Sequence, residues 1–224
     1  MSTQILFIRH GETDWNRIKR IQGHIDIPLA ASGLEQAGRL ARRLADEAQQ
    51  GGRIDAIYSS DLQRAQQTAQ PIADALGLPL TLRESLRERS YGAFQGYDRD
   101  EIAERYPDEY DHWQTRDAGF APPEGESMRA FYRRVMDAIA PIVSAHRGGR
   151  VACVAHGGVL DCVYRFARDL SLEVPRDYAL LNTSVNVVEF DGGGKATVKS
   201  WADVSHLDAP SEDDTLRRIV TPGL

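Results

Sequence analysis

Two short apolar runs in this chain end on the same pair of letters. Residues 4–8 (QILFI) lead into Arg9-His10-Gly11, and residues 150–155 (RVACVA) lead into His156-Gly157-Gly158. A short continuous apolar run bounded by polar residues is the pattern of a strand covered on both faces. That pattern belongs to parallel sheets, whose crossover connections lay helices on either side. In open sheets of this kind, ligands gather outside the carboxyl ends of the strands, near the point where strand order reverses. Two such strands, each delivering histidine and glycine to that end, constrain the architecture and the place of any site together.

The rest of the chain supplies the helices. Residues 33–48 put Leu34, Ala37, Leu40, Ala41, Leu44, Ala45 and Ala48 on one helical face, and Gly51-Gly52 stops it. A second buried strand follows at 54–60 (IDAIYSS). Asp61 or a neighbouring serine is then expected to cap a helix carrying Leu62, Ala65, Ala69, Ile72, Ala73 and Leu76, with Pro71 kinking or splitting it. A third strand is expected over 78–83. Ser127 is placed to cap a helix reaching about Ala145, and a further helix runs from about Val159 to Arg168. Strands at 184–190 and 195–201, joined by Asp191-Gly192-Gly193-Gly194, predict an edge hairpin. The expected fold is a three-layer α/β/α sandwich around a mainly parallel sheet. Residues 84–126 are polar and irregular but carry Phe94, Trp113 and Phe120 to bury, so they read as a small inserted cap. The polar tail, 208–224, reads as a surface wrap. The whole, 1–224, is expected to be a single domain.

Composition narrows the function classes. No apolar run reaches 18 residues, so no membrane span is expected, and the amino-terminal run is too short for a secretory signal. The two cysteines, Cys153 and Cys162, lie in or beside apolar elements, which fits a reducing, cytoplasmic setting rather than a disulfide scaffold. A net charge of −6 speaks against nucleic acid or acidic lipid as the main partner. The basic residues are nearly all arginine, an excess that codon usage explains. Only arginines inside motifs carry weight.

Three strand ends do carry chemistry. Arg9-His10-Gly11-Glu12-Thr13 joins an arginine able to grip an anion at two points with a glycine that lets backbone come close. His156-Gly157-Gly158 opens a helix, whose amino end favours phosphate. Ser60-Asp61-Leu62-Gln63-Arg64 puts another arginine in the first turn of a helix. Two histidines and two arginines suit a dianionic phosphoryl group: fixed guanidinium groups neutralise its charge, and a neutral imidazole can attack phosphorus. The leaving alkoxide then needs a proton from a carboxylic acid, and the candidate is Glu88 in Leu86-Arg87-Glu88-Arg89-Ser90-Tyr91-Gly92. With side chains supplying the positive charge, no metal is required. His10, Glu12, His24 and Asp26 have no recognised zinc spacing. Ser59 and Ser60 lack a nucleophile-elbow context, and Cys153 reads as core.

The strings FIRHGETDWN, SSDLQRAQQTA, LRERSYGAFQG and VAHGGVL, in this order, resemble the histidine phosphatase (phosphoglycerate mutase-like) superfamily. The resemblance runs from residue 4 to about 166, and WADVSHL (201–207) resembles an ending common in its phosphatase members. It implies that His10 is the nucleophile that becomes phosphorylated and that Arg9, Arg64 and His156 complete the phosphate pocket, with Gly11 and Gly157 beside them. Asn16 matches a residue that reaches the transferring group. Thr13, Gln22 and Gly23 fall in the binding loop, and Tyr91 is retained from the mutase-like pattern. Glu88 matches the general acid, later the base that activates water.

Membership of such a family leaves the reaction open. Sugar-acid mutases of the family carry a longer cap with a lysine and an adjacent arginine pair. Here 38 residues separate Glu88 from Ser127, with no lysine and no Arg-Arg pair among them. GAFQG and PEGES look more like the compact, broad-specificity phosphatases. The leading expectation is a phosphomonoester hydrolase acting on small phosphorylated metabolites, without a cofactor. The alternatives are a phosphoglycerate mutase, for which 2,3-bisphosphoglycerate would be the cofactor, a specialised sugar-phosphate or cofactor-precursor phosphatase, and a non-catalytic phosphate-binding regulatory module. The partner expected is the small phosphorylated substrate. Oligomeric state stays open, a homodimer among the alternatives.

Overall fold

The computed structural model describes residues 1–209. Its centre is a six-stranded sheet in the order β3-β2-β4-β1-β5-β6. The strands are β1 (Thr3–Arg9), β2 (Ala56–Ser60), β3 (Leu80–Arg83), β4 (Arg150–Ala155), β5 (Val185–Phe190) and β6 (Ala196–Asp203). β3, β2, β4 and β1 run parallel to one another, β5 pairs antiparallel with β1, and β5 and β6 form the antiparallel hairpin expected at the edge. Asp191 closes that hairpin by accepting the Gly193 and Lys195 N–H groups on one carboxylate oxygen.

Alternation along β1 divides the core in two. Leu6 and Ile8 face α2 (Ala31–Gln49) and α3 (Gln63–Leu76), packing with Leu40, Leu44, Ala69 and Ile72. Ile5 and Phe7 face α6 (Met128–Ala145) and α7 (Gly157–Arg168), packing with Phe131, Val135, Leu160 and Val163. Successive strand residues point to opposite faces, so an unbroken apolar run is what two helical layers demand. Cys153 and Cys162 are free and buried within the second cluster.

Several expectations need correction. Asp61 does not cap α3, because the Arg87 guanidinium takes both of its carboxylate oxygens at 2.8 and 2.6 Å; Leu62 stands at the cap with no side-chain bond. Pro71 does not split α3, which continues to Leu76 and ends at Gly77 in the left-handed conformation. α7 begins at Gly157, two residues before the expected start, since paired glycines hide a helix amino end. Residues 84–126 are not irregular throughout. They hold two 3₁₀ turns (Glu84–Leu86 and Gly92–Phe94), α4 (Arg99–Arg105) and α5 (Pro107–Gln114); α1 (Asp14–Arg17) is the remaining helix. Asp98 opens α4 in a reciprocal capping box with Glu101, and Pro107 opens α5. Phe94 is the buried centre of this insertion, with the Tyr106 and Trp113 rings 5.7 and 5.5 Å away. Ser127 caps α6 as expected, accepting the Ala130 N–H. The tail from 210 lies outside the described residues.

Candidate active site

Sheet register brings the two histidines together. Arg9 pairs with Ala155 across β1 and β4, and the His10 N–H donates to the Ala155 carbonyl, so His10 and His156 leave neighbouring strands side by side. Their ring centroids lie 5.2 Å apart. The His10 Nδ1 is 2.7 Å from the Gly11 carbonyl. A carbonyl only accepts, so Nδ1 carries the proton and Nε2 keeps its lone pair. Burial, then Arg64 and Arg9, hold the His10 pKa well below 6.5, against a raising effect of the Gly11 bond. The imidazole is neutral, with its unprotonated nitrogen on the side away from Gly11.

Backbone behind His10 is clamped from far along the chain. Asn182 Nδ2 donates to the His10 carbonyl at 2.9 Å, and the Thr183 N–H donates to that of Arg9 at 3.0 Å. Thr183 does so at φ +54°, a costly conformation for a β-branched residue that persists where surrounding contacts enforce it.

The two arginines are fixed as firmly. Arg9 Nη1 donates to the Leu180 carbonyl at 2.5 Å. Arg64 donates its terminal nitrogens to the Gly23 and Ile25 carbonyls at 2.7 and 3.0 Å, while its buried Nε has no hydrogen-bond partner among the described residues. Burial pushes Arg64 down to about 10, which leaves it charged at neutral pH. Glu88 reaches back from the insertion to α7. Its carboxylate accepts the Arg89 N–H at 2.8 Å and the Gly158 N–H at 3.0 Å. Tyr91 is pushed up to about 12 by burial and by the nearby Glu88 charge, so it stays a phenol.

These groups enclose a cavity of ≈ 200 Å³. Arg9, His10, Asn16, Gln22, Gly23, Arg64, Glu88 and Tyr91 all line it, as the sequence led one to expect. The other four candidates stand behind the wall. Thr13 is fully buried and organises the loop, accepting from the Asn16 N–H and Gln22 Nε2 while its own N–H donates to Asn16 Oδ1. Gly11 presses on α2, where a Cβ would fall 2.7 Å from the Gly33 carbonyl oxygen, and its N–H goes to Thr68. His156 is fully buried beside His10, and Gly157 is the first residue of α7. Glu88 does not pair with the side chains beside it: Arg87 turns to Asp61, and Arg89 to the Glu126 and Phe120 carbonyls.

Sequence reasoning missed the mouth. Lys19, Arg20 and Ile21 line it from the loop after α1, and Arg99 and Trp113 from the insertion, with the Arg99 guanidinium 4.9 Å from the Trp113 ring centre. Arg20 is partnered by Glu101 at 3.1 Å. Arg99 stands at the start of α4 in the sequence, but nothing local says that α4 overlooks the strand ends. Among the described residues no group of three or more His, Cys, Asp or Glu could hold a metal. His10, Glu12, His24 and Asp26 are dispersed: Glu12 binds Arg17 and Ser32, and Asp26 accepts the Gln63 N–H.

The model of the histidine phosphatase superfamily (branch 1) matches residues 5–204. The chain belongs to that superfamily. Among its relatives in Arabidopsis thaliana, metal-independent phosphoserine phosphatase is 41% identical, over 92% of this chain and 83% of that protein. Phosphoglycerate mutase-like protein 4 is 40% identical, over 92% and 87%. The solved structure of Bacillus stearothermophilus YhfR superposes with a TM-score of 0.81 at 35% identity, covering 91% of this chain and 98% of that one. As a histidine phosphatase superfamily member with such relatives, the chain is a phosphatase of small phosphorylated molecules, and a mutase remains the runner-up. Among the described residues no helix is long and apolar enough to cross a membrane.

Proposed function

We propose that the chain hydrolyses phosphomonoesters by way of a phosphohistidine on His10. The observation that carries this reading is the His10 Nδ1–H bond to Gly11, which leaves Nε2 unprotonated in a cavity shared with Arg9, Arg64 and Glu88. In the first step the Nε2 lone pair forms a bond to phosphorus as the phosphorus–oxygen ester bond breaks. The protonated Glu88 carboxyl gives its proton to the departing alkoxide. Arg9, Arg64 and an N–H of His156 stabilise the charge on the three equatorial oxygens. In the second step the Glu88 carboxylate takes a proton from water as that oxygen attacks phosphorus. The P–N bond breaks, inorganic phosphate leaves, and Nε2 recovers its lone pair. No metal or organic cofactor enters either step.

Asn16 and Gln22 would orient the phosphoryl group, with Thr13 and Gly11 holding the loop that carries them. A mutase would instead return the phosphoryl group to a second hydroxyl of a sugar acid. The cationic mouth of Lys19, Arg20 and Arg99 favours that second reading, because it could hold an anionic far end of the ligand. The compact insertion favours hydrolysis. We further read the chain as one domain of the reducing cytoplasm, consistent with its two free buried thiols. A panel including O-phosphoserine and 3-phosphoglycerate, run with and without 2,3-bisphosphoglycerate, tests the proposal. Free phosphate as the main product supports it, and isomerised product with little phosphate release overturns it.

A further inference from the structure

The Ser60 side chain takes no part in the steps above. It is fully buried at the end of β2, with its Oγ 2.9 Å from His156 Nε2. Its other contact is the Leu62 N–H, which donates to the same oxygen at 3.3 Å. The hydroxyl has one proton to give, and His156 Nε2 is its one acceptor among the described residues. Placing the proton on Nε2 instead would leave the serine hydrogen without an acceptor. It would also leave a bare lone pair at Nδ1, which is buried and has no hydrogen-bond partner among the described residues. Two unmet buried groups are worse than one. We infer that Ser60 donates to His156 Nε2 and so keeps the ring proton on Nδ1, making His156 a neutral hydrogen-bond donor for the phosphoryl group and Ser60 a positioning residue.

The two histidines are then one tautomer used from opposite ends. His10 commits its Nδ1–H to Gly11 and offers a lone pair; His156 commits its lone pair to Ser60 and offers an N–H. A second ring proton would erase the difference. Burial opposes it first, and so do the charged and titratable groups facing the ring: Arg64 from α3, Arg9 from β1 and His10 just after it, and His24 from the loop after α1. The tautomer therefore decides what His156 can do. Had Nε2 carried the proton, Nδ1 would have met a phosphoryl oxygen lone pair to lone pair.

The inference rests on the proposed phosphoryl transfer for its kinetic consequence alone; its structural half is read without turnover. The full chain, labelled with ¹⁵N-histidine and free of substrate, is examined near neutral pH by long-range ¹H–¹⁵N correlation. His156→Gln assigns the His156 signals by their loss. The expected spectrum has the His156 proton on Nδ1. Ser60→Ala is expected to move proton population to Nε2 and to lower kcat by about 10²-fold, the size of losing one charge-stabilising donor. That loss should be equal for aryl and alkyl esters, because the donor acts on phosphoryl oxygens rather than on the leaving group. Ser60→Thr, which keeps the hydroxyl, should restore the tautomer and most of kcat. A wild-type ring protonated on Nε2 overturns the inference. So does Ser60→Ala with an unchanged tautomer, which would confine Ser60 to holding Leu62. If Ser60→Ala does not fold, the wild-type spectrum decides alone. A wild-type chain without turnover refutes the phosphatase mechanism and leaves the spectrum to judge Ser60.

Discussion

Gly158 is where Glu88, the proposed general acid, can be displaced without substituting it. A Cβ at this second residue of α7 would fall 2.1 Å from Glu88 Oε1 and 2.9 Å from the Phe131 ring. Phe131 is fixed in the core, so the flexible carboxylate is what moves, and it loses the Gly158 N–H. A catalytic group misplaced by roughly 1 Å costs about 10²-fold, and losing general acid–base catalysis altogether costs about 10²–10⁴-fold. Gly158→Ala is therefore expected to lower kcat/KM for an alkyl phosphate by about 10²–10³-fold, or about 2.7–4 kcal/mol. An aryl phosphate, whose leaving group departs without a proton, should lose less than about tenfold. Alanine is better than glycine inside a helix by about 1 kcal/mol, which offsets part of the crowding, so the thermal midpoint should move by only a few degrees. Steady-state kinetics on the two esters, beside a thermal melt, reads all three quantities. An unchanged alkyl-to-aryl ratio in a folded variant refutes the role given to Glu88.

Arg64→Lys keeps the charge but cannot hold both the Gly23 and Ile25 carbonyls. Its kcat/KM should fall by at least about 10²-fold and inorganic phosphate should inhibit it more weakly, whereas wild-type inhibition by phosphate would contradict the pocket. Leu44→Ala empties a fully buried site on α2, away from the cavity, and should cost about 2–5 kcal/mol in denaturant unfolding with kcat retained. Acid should loosen the fold through its histidines. Burial, then Arg43 and Arg39, hold His206 down to about 4, and burial first holds His10 and His156 well below 6.5. The unfolded chain takes up these protons first, so stability is complete above pH 6.5 and falls as pH drops from 6.5 toward 4. Thermal midpoints across that window should decline, and His206→Asn should flatten part of the decline; a constant midpoint contradicts the assignment.

What the sequence made legible was local. His10 and His156 stood out because buried strands end abruptly and sheets of this kind gather ligands where their strands end. Ser127 was readable because a cap and its helix are adjacent in the chain. Features set by distant partners were not. Asp61 has a capping residue's chemistry, but Arg87, 26 positions on, claims its carboxylate. The Glu88–Gly158 contact spans 70 positions, and Asn182 meets the His10 carbonyl across 172. α4 and α5 were hidden by brevity, seven and eight residues, and α5 buries none of its side chains. Ser60 shows in the sequence only the lack of a nucleophile-elbow context, and its contact with a histidine 96 positions away becomes visible once β2 and β4 are paired.

The central claim is a covalent bond from His10 Nε2 to phosphorus, and trapping tests it most directly. The enzyme is mixed with an aryl phosphate, quenched within milliseconds in alkali, where phosphohistidine survives, and digested for mass spectrometry. The account predicts one phosphoryl group on the peptide carrying His10, lost on acid treatment and absent from His10→Ala, which should also lack turnover. Turnover by His10→Ala, or a phosphoryl group carried by another residue, would contradict it.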